Sequence, residues 1–122
     1  MSKVAIITGA TRGIGRELAH GLAKNGYNIV VTGKTMKDSN TLPGTIYSVA
    51  EEIERYGVIG APIRADLRNT EDIDKIVRFT RSKFGRLDLL INNAGALFWK
   101  PIIDTDIKKY DLINNINSRA SF

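Results

Sequence analysis

The sequence predicts an α/β fold: a four-stranded parallel sheet in strand order 3-2-1-4, with helices packed on both faces. Three observations carry this. Short apolar, β-branched runs alternate along the chain with longer segments whose apolar residues recur every three or four positions. The first run, Val4-Ala5-Ile6-Ile7, passes directly into Thr8-Gly9-Ala10-Thr11-Arg12-Gly13-Ile14-Gly15, a glycine turn that opens a helical pattern. The last run, Leu87 to Ile91, is nearly all apolar, as a strand covered on both faces should be. Alternating strands and helices give parallel strands joined by right-handed crossovers, the doubly wound, Rossmann-type arrangement.

The elements follow in order. A first strand is expected over about 3–8 and a helix over about 13–25, with Ile14, Leu18 and Leu22 on one face and Asn25-Gly26 as its stop. Asn28 to Thr32 reads as the second strand. The link from Lys34 to Gly44 contains two turn formers, Asp38-Ser39-Asn40 and Leu42-Pro43-Gly44. A helix over about 45–56 places Ile46, Val49 and Ile53 inward, and Tyr56-Gly57 closes it. The third strand lies around Ala61 to Ala65, although Pro62 counts against a strand there. Asn69 or Thr70 caps a helix over about 71–84 with Ile73, Ile76, Val77 and Phe84 facing in, and Gly85 ends it. After the fourth strand, a final helix starts near Thr105, with Ile107, Leu112, Ile113 and Ile116 as its apolar positions.

The 122 residues suit one domain spanning 1–122, and neither repeats nor low-complexity segments interrupt it. Hydrophobic residues at 43% and charged residues at 25% are ordinary for a globular chain. No apolar run approaches the roughly 18 residues that would span a membrane. Met1-Ser2-Lys3 leads at once into the first strand, which leaves no room for a signal peptide. Cysteine is absent, which excludes disulfide and thiol chemistry. A cytoplasmic or organelle-interior protein is expected, not a secreted one. The net charge of +5 comes from cations scattered between Lys3 and Arg119, so solvated helix faces are expected and no nucleic-acid surface. No metal site is expected.

The glycine turn carries the chemistry. Backbone amides approach a pyrophosphate closely only where side chains are absent, and the start of the following helix favours its charge. Gly9, Thr11, Arg12, Gly13, Ile14 and Gly15 are therefore candidate dinucleotide contacts, against the alternative of a ligand-free turn. The end of the second strand selects the cofactor. A carboxylate there would bond a ribose 2′-hydroxyl and repel a 2′-phosphate; this chain has Gly33 followed by Lys34. With Arg12 in the turn, two cations and no carboxylate favour NADP over NAD. Asp66 follows the third strand, where it can accept from an adenine amino group or serve as a turn cap. Asn92-Asn93-Ala94-Gly95 follows the fourth strand, where amides can tie strand ends together and small residues leave room for a ribose. His20 reads as an exposed helix residue.

Together, Thr-Gly-x-x-x-Gly-x-Gly at 8–15, Asp66-Leu67 and Asn-Asn-Ala-Gly at 92–95 resemble the short-chain dehydrogenase/reductase family, over the first half of that family's domain. The link from Lys34-Thr35 to Leu42-Pro43-Gly44-Thr45-Ile46-Tyr47, followed by Ala50-Glu51-Glu52-Ile53-Glu54, resembles its hydroxysteroid dehydrogenase-like subgroup. The resemblance implies a nicotinamide-dependent oxidoreductase that interconverts an alcohol and a carbonyl. It places Gly9, Gly13 and Gly15 in the phosphate turn with Ile14 beneath the pyrophosphate, Asp66 and Leu67 at adenine, and Asn93, Ala94 and Gly95 along the ribose. It also implies an Asn, Ser, Tyr, Lys set. Asn117, five residues before Phe122, fits the Asn best, with Asn114 and Asn115 as neighbouring alternatives.

None of the four tyrosines, Tyr27, Tyr47, Tyr56 and Tyr110, has a lysine four positions on. Hydride transfer to a carbonyl needs an acid for the developing alkoxide, so these 122 residues alone are expected to be inactive. The fourth strand is then an apolar sheet edge, a setting for homo-oligomer formation. Two other readings stand beside the first. One is a non-catalytic nucleotide-binding or dimerising module. The other is a methyltransferase, which the absence of an acid after the second strand disfavours.

Overall fold

A computed structural model describes residues 2–38 and 44–122. Four parallel strands, β1 (Val4–Ile7), β2 (Asn28–Gly33), β3 (Gly60–Arg64) and β4 (Leu89–Ile91), form one sheet in the order β3-β2-β1-β4. Helices α1 (Gly13–Lys24), α2 (Ile46–Glu54), α3 (Thr70–Phe84) and α4 (Ile107–Asn114) connect or follow them. The predicted fold class and strand order are both present. The expected turns at 38–40 and 42–44 run into residues 39–43, which lie outside the described residues.

The two-residue period of a strand divides the core into two layers. Ala5, Ile7, Ile29 and Val31 meet Ala19 and Ala23 of α1 and Val49 and Ile53 of α2. Val4, Ile6 and Val30 face the other way, toward Ile63, Ala65 and Ile76. Each aliphatic side chain removed from water this way contributes about 1.5–3 kcal/mol. The strands are held level: Ile7 lies opposite Val31 on one side and Ile91 on the other. Their carboxyl ends therefore share one rim.

Several sequence expectations shift on contact with this packing. On α1 the buried stripe is Gly15, Ala19 and Ala23; Leu18 and Leu22 are half-buried and Ile14 is 73% exposed. Small residues let α1 lie close over the sheet, and the larger ones flank the contact. Helix α2 buries Ile46, Val49 and Ile53 as predicted, with Ala50. Thr45 and Ser48 exchange side-chain and backbone bonds at its start, a capping box. Pro62 stands within β3, opposite Val31. The strand is at the sheet edge, where a missing N–H costs no ladder bond. Asn69 holds the N-cap position of α3, but its side chain makes no cap bond; the Asp72 carboxylate instead accepts the Asp66 amide at 2.8 Å. Val77 of α3 is exposed, not inward.

The last third departs most. The expected fourth strand contracts to Leu89–Ile91, and Leu87 before it and Leu90 within it are exposed, because β4 is the other edge of the described sheet. Helix α4 begins at Ile107, not Thr105, after Asp106 caps it by accepting the Lys109 amide. None of its residues is fully buried. It continues as a π-helical turn over Asn115–Arg119, in which the Ala120 amide reaches back five residues to the Asn115 carbonyl.

His20 is also corrected. It is half-buried between α1 and α2, with Nε2 2.9 Å from Glu52 and Nδ1 3.0 Å from the Tyr56 hydroxyl. Arg16 holds the same carboxylate with two bonds, at 2.9 and 2.7 Å. Burial pushes the Glu52 carboxyl up, but the bonds from His20 and Arg16 prevail and leave it below the ordinary carboxylate range. This network clamps α1 to α2 and lies apart from the strand rim.

Candidate functional site

The rim at the carboxyl ends of the strands is built by side-chain bonds between chain segments distant in sequence. Thr8, just past β1, accepts the amides of Asn93 and Ala94 on its Oγ1, each at 3.0 Å. The Asn93 carboxamide donates back to the carbonyls of Thr8 at 3.0 Å and Gly9 at 3.1 Å. The end of β4 is thereby tied to the glycine turn, the function expected of an asparagine there.

Gly9 and Gly13 have φ of +64° and +57°, conformations that side chains resist. Gly15 is required by space: a Cβ there would lie 2.2 Å from the Gly9 carbonyl oxygen. The turn delivers the chain into α1 with an unusual start. Arg12 is the N-cap residue in extended conformation, makes no side-chain cap bond, and no acid stands in the first turn. The first amides of α1 therefore keep their capacity for an anion.

A cavity of about 400 Å³ opens beside this turn. Thr8, Gly9, Thr11, Arg12, Lys34, Asp66, Leu67, Asn93, Ala94 and Gly95 line it, together with Thr32, Gly33, Thr35, Ala65 and Ile116. Nine predicted cofactor contacts are thus brought together. Gly13, Ile14 and Gly15 are not in its lining; they stand at the start of α1. Arg12 Nη2 donates to Thr35 Oγ1 at 2.7 Å, while its Nε is buried with no hydrogen-bond partner among the described residues. Lys34 Nζ is 3.7 Å from an Asp66 oxygen. Asp66 accepts from the Arg68 side chain and from its backbone amide. Those Arg68 bonds, assisted by Lys34 and opposed by burial, hold its carboxyl well below the usual carboxylate range.

Asn117 does not line the cavity, but its neighbour Ile116 does. Both ends of its carboxamide are engaged: Oδ1 accepts the Ala96 amide at 2.7 Å and Nδ2 donates to the Ala96 carbonyl at 2.9 Å. Asn114 instead donates to the Tyr110 carbonyl within its own helix. Sequence reasoning missed Thr8 as an acceptor, Thr35 as the partner of Arg12, and Arg68 behind Asp66. Only Arg68 left a signal, as a cation two residues from the acid; the other two depend on pairing across the fold.

This arrangement, a glycine turn and open helix start at the carboxyl ends of a 3-2-1-4 parallel sheet, is that of a Rossmann-type nucleotide-binding fold. Residues 3–122 match the short chain dehydrogenase family, and the chain belongs to it. It is 44% identical over 116 residues to hydroxysteroid dehydrogenase-like protein 2 of Bos taurus and 43% identical to that of Homo sapiens, covering 95% of this chain and 28% of each relative. It therefore spans under a third of the length of these curated relatives. Among solved structures, a short chain dehydrogenase from Mycobacterium thermoresistibile superposes with a TM-score of 0.92 at 36% identity, over 98% of this chain and 42% of that one. The L-sorbose reductase of Gluconobacter frateurii, complexed with NADPH and L-sorbose, gives a TM-score of 0.87 at 30% identity, over 98% and 43%. No helix among the described residues is long and apolar enough to cross a membrane.

Proposed function

We propose that residues 1–122 are the NADP-binding portion, the N-terminal half, of a single short-chain oxidoreductase domain that interconverts an alcohol and a carbonyl. The observation that carries the cofactor choice is Arg12. Arg12 lines the cavity and its Nε is buried with no hydrogen-bond partner among the described residues, Thr35 braces the same guanidinium, Lys34 lines the same cavity, and position 33 offers no carboxylate. A 2′-phosphate satisfies that donor and gains charge-assisted bonds. The L-sorbose reductase complex with NADPH supports the reading. Gly9, Thr11, Gly13, Ile14 and Gly15 present backbone amides to the pyrophosphate. Asp66 and Leu67 take the adenine, and Asn93, Ala94 and Gly95 take the ribose. When bound, the dinucleotide supplies or accepts the hydride.

Asn117 is the family asparagine on this reading. Its grip on Ala96 fixes the segment next to Gly95, and it orders water and the groups that move the proton. That proton transfer falls to a tyrosine and lysine outside residues 1–122, since no tyrosine here has lysine four positions on. A small carbonyl or alcohol is the substrate of the full protein.

Calorimetric titration of the chain with NADP and NAD tests the cofactor. We expect NADP to bind at least about tenfold tighter, equivalent to about 1.4 kcal/mol, and Arg12→Ala to erode that preference. Equal affinities would refute it. A second reading, a non-catalytic module that dimerises, is favoured by the exposed Leu97, Trp99, Ile102 and Ile103. Sedimentation as a homo-oligomer with tight NADP binding and no turnover would support it, and NADP-dependent turnover by the chain alone would exclude it.

A further inference from the structure

We propose that Arg68 is a positioning residue for base recognition: it grips Asp66 from outside the cavity, so that the carboxylate presents a fixed acceptor to the amino group of an adenine ring. This rests on the reading that the cavity holds an adenine dinucleotide. Asp66 lines the cavity and Arg68 does not. Arg68 Nε donates to both Asp66 oxygens, at 2.9 and 3.1 Å, Nη2 donates to Oδ2 at 2.5 Å, and the Arg68 backbone amide donates to Oδ1 at 3.0 Å. A planar guanidinium holding both oxygens fixes the plane of the carboxylate as well as its position. Arg68 is itself anchored, because its carbonyl accepts from Arg119 Nη2 at 2.7 Å.

A carboxylate offers about four lone-pair directions. Asp66 lines the cavity and Arg68 is not among its lining residues, so on this proposal a direction on the cavity side takes the ligand donor. Lys34, at 3.7 Å, is a charge neighbour and not a hydrogen-bond partner, so it leaves that direction open. An ionised carboxylate only accepts. The site therefore discriminates a base bearing an exocyclic amino group from one bearing an oxo group at the same position. Without Arg68, Asp66 is free to turn toward Lys34, and the acceptor loses its fixed direction.

The test is calorimetric titration of the full chain with NADP and with its deaminated analogue, in which the adenine amino group is replaced by an oxo group. For the unaltered protein we expect about a tenfold preference for the amino form. We expect Arg68→Met to bring the two affinities within about threefold, mainly by weakening NADP, and Arg68→Lys to retain part of the preference. Thermal melts of both variants report whether each is folded, and the lysine variant keeps the question open to test if the methionine one is not. An Arg68→Met protein that keeps the full preference, or that weakens both ligands equally, overturns the positioning role. An unaltered protein that binds both ligands equally overturns it while leaving the dinucleotide reading intact. An unaltered protein that binds neither overturns both.

Discussion

Replacing Gly15 with alanine isolates the contact between α1 and the glycine turn. The added Cβ would stand 2.2 Å from the Gly9 oxygen and 2.5 Å from Asn93 Nδ2. Relief requires a retreat of roughly an ångström by the start of α1 and displacement of the Asn93 carboxamide. Overpacking of this kind costs about 1–3 kcal/mol. Loss of the Asn93 bonds to Thr8 and Gly9 adds about 0.5–1.5 kcal/mol for each. Alanine returns about 1 kcal/mol through helix propensity, so a net loss of about 3 kcal/mol is expected. Gly21, on the same helix, is the control, because a Cβ there meets nothing within 4 Å. Gly21→Ala should gain about 0.5–1 kcal/mol. Urea unfolding followed by far-UV circular dichroism should therefore separate the two variants by about 4 kcal/mol, with the unaltered protein between them. A Gly15→Ala protein as stable as the unaltered chain would refute this account of the turn.

Thr8→Val keeps the side-chain shape but leaves the Asn93 and Ala94 amides without their acceptor; a loss of about 2–4 kcal/mol is expected in urea unfolding, with faster hydrogen exchange at those two amides. Glu52→Gln weakens the bonds to Arg16 and His20, and should lower the urea midpoint by an amount equivalent to about 1–2 kcal/mol. The carboxyls of Asp66, Glu52 and Asp88 all lie below their ordinary range in the folded chain: Arg68 bonds lead at Asp66, opposed burial at Glu52 yields to His20 and Arg16, and Arg86 bonds lead at Asp88. Groups lowered on folding contribute stability that is complete above the unfolded pKa of about 4 and is lost as the pH falls toward the folded values. For these groups the urea midpoint should be flat from about pH 8 to 5.5 and drop below about pH 4, and Asp66→Asn should make that drop shallower. Asn117→Ala frees both backbone groups of Ala96; exchange at the Ala96 amide should rise about tenfold with little change in global stability.

Local rules made the sheet legible. Val4 to Ile7 and Asn28 to Thr32 are bounded by glycine and polar residues, and the strand order follows from crossover handedness. Pro62 counted against a third strand, yet it lies within β3, because that strand is an edge of the described sheet. What sequence could not show was depth. Ile14 and Val77 fit an apolar stripe by periodicity but point away from the core, since periodicity does not say how closely a helix approaches its sheet. His20 gave no sign of Glu52 and Tyr56, residues 32 and 36 positions away. At the site, the glycine turn, Asp66 and Asn93 were visible because backbone conformation and strand-end position leave marks in the sequence. Thr35 and Ile116 were not, because a cavity wall recruits whichever residues the crossovers bring there.

The Asn93 carboxamide bridge from β4 to the glycine turn has a thermodynamic consequence. Its bonds to Thr8 and Gly9 immobilise the turn before any ligand arrives. The conformational entropy of ordering those residues is therefore lost during folding, and ligand affinity does not carry that penalty. Affinity and folding stability become linked quantities through one amide group. Fraying of β4, an edge of the described sheet, would loosen the phosphate turn from a distance, weakening dinucleotide binding while leaving the lining of the cavity chemically unchanged.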